Sequence, residues 1–198
     1  MIQLLGRATS GNVQKVIFLL EELGLPYERK DYGKQWENTT TPEYVAMNPI
    51  KKVPTLIDGD TIIWQSNSIL RYLAAKSGSP LFPADLAKRS QVERWMDWCL
   101  AELNPAYLGG FRDAKKAEAE RAKDTVPNLA AELKIIEGQL AKNTWAAGSE
   151  FSLADISLGP IVKRCIAFPL GLPEFPKTTA WVAALQARPA FQKAVAAG

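Results

Sequence analysis

Between residues 52 and 70 the chain reads Lys52-Val53-Pro54-Thr55-Leu56-Ile57-Asp58-Gly59, then, after four residues, Trp64-Gln65-Ser66-Asn67-Ser68-Ile69-Leu70. A short apolar strand starts on a proline. An Asp-Gly turn returns the chain into a second short strand, and a Gln-Ser step opens a helix. Proline has no N–H for a sheet ladder, so Pro54 belongs at an edge, at a bend or after a cis peptide bond. With a cis bond, Val53 turns its backbone out of the sheet and leaves its N–H and C=O open to a ligand. Ser66 falls at the expected N-cap of the next helix, where unpaired amides and the positive helix end favour a carboxylate. The stretch predicts a site for a peptide-like molecule that carries a carboxylate.

The residues up to about 76 alternate strand and helix. Ile2 to Leu5 is a short apolar run read as a buried strand. A polar loop, Gly6 to Asn12, follows it, and Val13, Val16, Ile17, Leu20 and Leu23 then recur at helical spacing until Gly24. Tyr27 to Tyr32 is a strand, and Thr41-Pro42-Glu43 has the cap, first-turn proline and acidic residue of a helix start. No glycine fingerprint follows the first strand, which disfavours a doubly wound nucleotide domain.

Ser77 to Phe82 and Pro83 form a linker rich in small residues and proline. All that follows reads as helix. Val92, Trp95, Met96, Cys99, Leu100 and Leu103 form one stripe, which Pro105 is expected to bend or end. Lys115 to Asp124 is strongly charged and reads as a solvated helix or the approach to one, and Leu129, Leu133, Ile136 and Leu140 form a second stripe. Phe151-Ser152-Leu153-Ala154-Asp155-Ile156 carries a capping box with a hydrophobic staple, whose role is to secure a buried helix. Two closing helices are expected over 178–188 and 189–197. The domain expectation is 1–76, a linker over 77–84, and an all-helical domain over 85–198.

Composition narrows the chemistry. The 198 residues include no histidine, which removes Ser-His and Cys-His pairs and the commonest metal ligand. Cys99 and Cys165 lie far apart within apolar helical patterns and read as buried free thiols of a cytoplasmic protein. No metal is expected. The net charge of +3 is mixed along the chain, with no basic cluster interleaved with aromatics, so nucleic acid is not an expected partner. No apolar run approaches the ~20 residues that span a bilayer, and the first residues lack a charged segment and a cleavage site, so neither membrane nor secretion is expected.

Thr9, Ser10 and Asn12 stand between the first strand and first helix. They read either as loop and cap residues, or as donors that stabilise an anion, such as a thiolate, at the positive helix end.

Taken together, Val53-Pro54, Gln65-Ser66 and the Ser/Asn loop before Lys15-Val16 resemble the glutathione transferase family, and the resemblance covers the whole chain. It implies an α/β thioredoxin-like N-terminal domain that binds glutathione, followed by an all-α helical domain. The loop resembles the bacterial and fungal members in which Ser, Thr or Asn replaces the family's tyrosine. It has no cysteine, which disfavours the classes that form mixed disulfides with glutathione. The resemblance assigns Asn12, Ser10 and Thr9 to activation of the glutathione thiol. It assigns the Val53 backbone, with a cis Pro54, to the cysteinyl part, Gln65 and Ser66 to the γ-glutamyl end, and Lys52 to the glycyl carboxylate. Lys51 and Lys34 are weaker candidates for that last role. Gln65 stands where many relatives have Glu and lacks its charge.

An electrophile is expected between the two domains, with Tyr107, Phe111 and Arg112 as candidate contacts and Trp98 a further one, although an aromatic at helical spacing also reads as core. The implied activity is a detoxifying transferase, homodimeric as in most of the family, that adds glutathione to a small hydrophobic electrophile. The alternatives are a glutathione-dependent disulfide reductase and a non-catalytic binding or scaffold module. Retention of Ser10, Asn12 and Ser66 favours activity.

Overall fold

The computed structural model describes residues 1–196. Four short strands, β1 (Ile2–Leu5), β2 (Tyr27–Lys30), β3 (Thr55–Asp58) and β4 (Thr61–Trp64), form one mixed sheet in the order β2-β1-β3-β4. The β1–β2 pair is parallel and crosses over through α1 (Gly11–Glu22); the β1–β3 and β3–β4 pairs are antiparallel. α2 (Pro42–Met47) follows two 3-10 turns and is capped by Thr41, whose hydroxyl accepts the Tyr44 N–H. α3 (Ser66–Lys76) closes this part. Its core is Leu4, Val13, Val16, Leu20, Leu56, Ile69 and Leu73, all fully buried. This is the thioredoxin-like half that the resemblance implied.

The second compact unit runs from Pro83 to Ala187 and is helical throughout. It comprises α4 (Leu86–Trp98), α5 (Asn104–Asp113), α6 (Thr125–Leu140), α7 (Leu153–Ala167) and α8 (Pro176–Gln186). Pro105 does not end the first of these helices. The chain passes through a π-helical turn at Cys99–Leu103 and continues directly into α5. Proline cannot donate to the preceding turn and its ring crowds that turn's carbonyl; the wider π turn shifts the ladder and makes room for both. The stretch after Lys115 is a loop with a single 3-10 turn, Glu118–Glu120, instead of a helix.

The last helix departs from the expected domain limit of 85–198. α9 (Pro189–Val195) belongs to the first unit, Met1–Phe82, which the chain rejoins at Arg188. Phe191 packs edge-on against Phe18 of α1, with ring centroids 5.1 Å apart. Arg188 holds Glu22 through two bonds of 2.6 and 2.7 Å, and Lys193 reaches Glu21 at 2.8 Å. The sequence predicts a closing helix here but carries no sign of which core takes its apolar face. Ala197, the expected end of this helix, lies outside the described residues.

The capping box forms as read. The Ser152 hydroxyl accepts the Ala154 N–H, and the Asp155 carboxylate accepts from the Ser152 N–H. Asp155 also accepts from the Ala146 N–H at 2.8 Å and from Trp181 Nε1 at 2.9 Å, so one fully buried carboxylate ties a loop, α7 and α8 together. Burial pushes this carboxyl up to about 6, against the lowering effect of those donors. The folded value exceeds the unfolded value of ~3.9, so the folded state binds the extra proton between these two pH values and loses stability as pH rises through that window. We expect this contribution to be roughly 3 kcal/mol. Urea unfolding of wild type and Asp155→Asn at pH 4 and pH 7 measures it: the variant, less stable overall, should lack that part of the decline.

Candidate active site

The registers bring the candidate residues to one edge of the sheet. Leu5 pairs with Lys30 on one side and Thr55 on the other, and Thr55 pairs with Trp64. These four residues form a row. The first loop leaves the sheet after Leu5, Val53-Pro54 enters it before Thr55, and Gln65-Ser66 leaves it after Trp64. The loops touch at Gly6, where an added Cβ would meet Val13 Cγ2 at 2.5 Å and Val53 Cβ at 3.3 Å. No side chain fits between the first loop and Val53.

The Val53–Pro54 peptide is cis, as expected. Val53 lies beyond Thr55, the last paired residue of β3, so its N–H and C=O do not enter the ladder. A buried network that the sequence reading missed fixes the approach to it. The Lys52 carbonyl accepts from Tyr44 Oη at 2.8 Å and from Asn48 Nδ2 at 2.7 Å. Asn48 Nδ2 also donates to Thr55 Oγ1, whose hydroxyl donates to Tyr44 Oη. Asn48 Oδ1 in turn accepts the Ile50 N–H. Burial raises the Tyr44 phenol above its usual range, so it stays a donor. A buried Asn beside an Asn-Pro turn was the available signal, since a buried amide needs partners and finds them in its own loop. The Lys52 and Lys51 side chains are exposed, as is Lys34.

Ser10 is the N-cap of α1 with extended dihedrals of −81° and 124°, and its hydroxyl makes no capping bond. Its N–H donates to the Arg7 carbonyl at 3.1 Å. Thr9 is exposed and Asn12 half-buried. Asn12 is the second residue of α1, inside the turn whose amides lack intrahelical partners. Ser66 is not the N-cap of α3, as had been expected. Gln65 holds that position with φ 71° and ψ 117°, and Ser66 becomes the first helical residue, 8 % exposed. A positive φ on a non-glycine residue is strained and occurs where surrounding structure enforces it, often at functional sites. Here it turns the chain from β4 into α3 and swings Ser66 toward α1. Ser66 Oγ donates to Asn12 Oδ1 at 3.3 Å.

The candidates of the helical unit fall into two groups. Tyr107 is 8 % exposed and stacks on Phe168, with Arg164 donating to its hydroxyl at 3.5 Å. Phe111 is its neighbour, with centroids 6.1 Å apart, and lies under the Lys115 ammonium. Arg112 is exposed and lines a separate cavity of about 460 Å³ between α5 and α6, with Asp113, Thr125 and Asn128 among its walls. Trp98 donates from Nε1 to Glu132. Cys99 and Cys165 are buried and form no disulfide; Cys99 Sγ donates to the Ser157 carbonyl at 3.7 Å, and burial raises the Cys165 thiol well above its usual range. Among the described residues no group of three or more His, Cys, Asp or Glu could hold a metal ion. No helix among them is long and apolar enough to cross a membrane.

The family model for the glutathione S-transferase N-terminal domain matches residues 2–75, and that for the glutathione S-transferase C-terminal domain matches residues 98–189. This chain belongs to the glutathione S-transferase family. Glutathione S-transferase GstB of Escherichia coli strain K12 is 34% identical over 203 aligned positions, spanning 98% of each chain. Glutathione S-transferase 3 of Zea mays is 33% identical, covering 99% of this chain and 94% of that protein. Among solved structures, the theta class enzyme of Xanthomonas axonopodis pv. citri with glutathione bound superposes with a TM-score of 0.92. It is 35% identical and covers 98% of this chain and 96% of its own. A family member from Pseudomonas fluorescens pf-5 with two glutathione bound has a TM-score of 0.89 at 28% identity, over 98% and 92% of the two chains. The protein is thus a glutathione S-transferase enzyme, with glutathione as its co-substrate.

Asn48→Ala removes the Nδ2 donor to the Lys52 carbonyl and to Thr55 Oγ1, and leaves Tyr44 Oη as the carbonyl's remaining donor. We expect a stability loss of roughly 1–3 kcal/mol and weaker glutathione binding, because the Val53 backbone is no longer held. Urea unfolding and calorimetric titration check the pair of effects. Unchanged glutathione affinity in a destabilised variant would separate the network from the site.

Proposed function

We propose that the protein ionises the glutathione thiol on its first loop and directs the sulfur at a small, largely apolar electrophile. The cysteinyl backbone pairs with Val53. The γ-glutamyl carboxylate lies at the start of α3, at Ser66 and Gln65, and Lys52 faces the glycyl carboxylate. Asn12 is the principal thiol donor, Ser10 the second and Thr9 the third. The thiol proton leaves to solvent, and the thiolate forms a bond to carbon. In substitution the leaving group departs with its electron pair; in conjugate addition the new carbanion takes a proton from water. Tyr107, Phe111 and Arg112 are proposed contacts of the electrophile, and a cytoplasmic homodimer is the proposed working form.

One observation carries this reading: the Ser10 hydroxyl makes no capping bond to its helix, and Asn12 stands in the first turn of that 12-residue helix, which follows the loop leaving the sheet after Leu5, next to the points where Val53-Pro54 enters and Gln65-Ser66 leaves. A hydrogen bond to a thiolate and the positive helix end both favour the charged form, lowering a thiol pKa from ~8.5. Each unit corresponds to about 1.4 kcal/mol between the two protonation states.

Glutathione bound to wild type should therefore show thiolate absorbance at neutral pH. Asn12→Ala should move the titration upward most, Ser10→Ala less and Thr9→Ala least, with little change in affinity. Four coincident curves would mean that this loop does not activate the sulfur, and a binding module without catalysis would be the better reading.

A further inference from the structure

The chain leaves α7 at Phe168, and backbone and packing both hold that residue in place. Its N–H donates to the Cys165 carbonyl at 3.3 Å, and its carbonyl accepts the Leu170 N–H at 2.8 Å. The ring stacks on Tyr107, with centroids 5.9 Å apart and an interplanar angle of 21°. On α5 it also meets Gly110, where an added Cβ would stand 3.0 Å from Phe168 Cδ2 and Cε2. Any side chain at 110 would crowd the ring, so the glycine lets it lie against the helix.

The same ring borders open space. A groove of about 730 Å³ runs between the loop after α7 and α8, lined by Ile166, Phe168, Leu172, Phe175, Ala180 and Ala183 among others. Its size falls in the ~300–1,000 Å³ range of small-molecule sites. Ala180 and Ala183 are exposed, and their small side chains leave the groove open. Glu174 is the only charged residue that lines it. Walls of this kind favour an apolar guest and leave an anionic one without its hydration. A group held against Tyr107 is one ring away from this groove.

We propose, on the reading of Tyr107 and Phe111 as contacts of the electrophile, that the groove is a subsite for a neutral apolar chain carried by that electrophile. Phe168 is then a specificity-determining residue, because the chain passes its edge on the way from Tyr107 into the groove. The preferred electrophiles have a small reactive head and an alkyl chain of several carbons. A carboxylate at the far end of the chain is disfavoured, since it would meet Glu174 and apolar walls.

The test is calorimetric binding of S-alkyl glutathiones from S-methyl to S-octyl, which carry the chain and do not react. Once the chain enters the groove, the dissociation constant should fall about threefold to fourfold per added methylene. Ala180→Glu places a charge in the groove, and Ala183→Phe fills it. Both positions are exposed on a helix, and titration with glutathione itself is the folding control. Each substitution should flatten the dependence on chain length. An affinity in wild type that does not change with chain length overturns the proposal. So does a dependence that survives both substitutions, which would put the chain elsewhere. Turnover of trans-2-alkenals from pentenal to decenal separates the groove from the conjugation reading. Wild-type kcat/KM should rise along that series, and neither variant should show the rise. If both variants remove the chain dependence of binding while wild type turns over no alkenal, the groove stands and the conjugation reading fails.

Discussion

The register of four short strands sets everything that follows. Lys30, Leu5, Thr55 and Trp64 lie in one row across the sheet. From that row the chain leaves or enters in four places, and the candidate glutathione contacts lie on the segments that do so. A one-residue slip of β3 against β1 would turn Leu56 from the core to the opposite face and carry Val53 away from Gly6. Leu4 and Leu56 are fully buried partners in that pairing, so core burial and site geometry are fixed by the same contacts. Two apolar side chains of this kind stabilise the fold by a few kcal/mol, and that burial sets the register on which an amide and a hydroxyl meet.

The site built on this row is made mainly of backbone and neutral polar groups. Val53 offers N–H and C=O, the starts of α1 and α3 offer amides, and Asn12, Ser10 and Ser66 offer donors without net charge. Such a set suits a substrate that brings its own charges. In the proposed mechanism it stabilises a thiolate through dipoles already in position, which need little rearrangement when charge develops. The buried ring of Tyr44, Asn48 and Thr55 behind Lys52 serves the same end, because a satisfied polar network leaves the loop one arrangement to adopt.

Much of this was legible before any coordinates. Pro54 before an apolar run, Asp58-Gly59 between two strands and Gln65-Ser66 before a helical stripe each specify a local geometry through their own chemistry. Other parts were not. Ser66 was read as a cap because serine favours caps; the strained Gln65 turn shifts it one position, and a lone glutamine carries no sign of a positive φ. Pro105 is expected to bend or end its helix, but a π turn admits the ring, and no residue type marks such a turn. The placement of α9 against α1 depends on Phe191 meeting Phe18 and Arg188 meeting Glu22, which are contacts between the two ends of the sequence. Asn48 was visible as a residue but not as the support of Lys52, since its partners are defined only once the loop has closed.

In the proposed mechanism the first loop and the Val53 turn hold glutathione with its sulfur against Asn12. A crystal structure with glutathione soaked in tests it most directly. We expect the cysteinyl backbone paired with Val53 and the sulfur within about 3.5 Å of Asn12 Nδ2. Glutathione bound with its sulfur beyond hydrogen-bond reach of Asn12 and Ser10, or with Val53 unpaired, would contradict it.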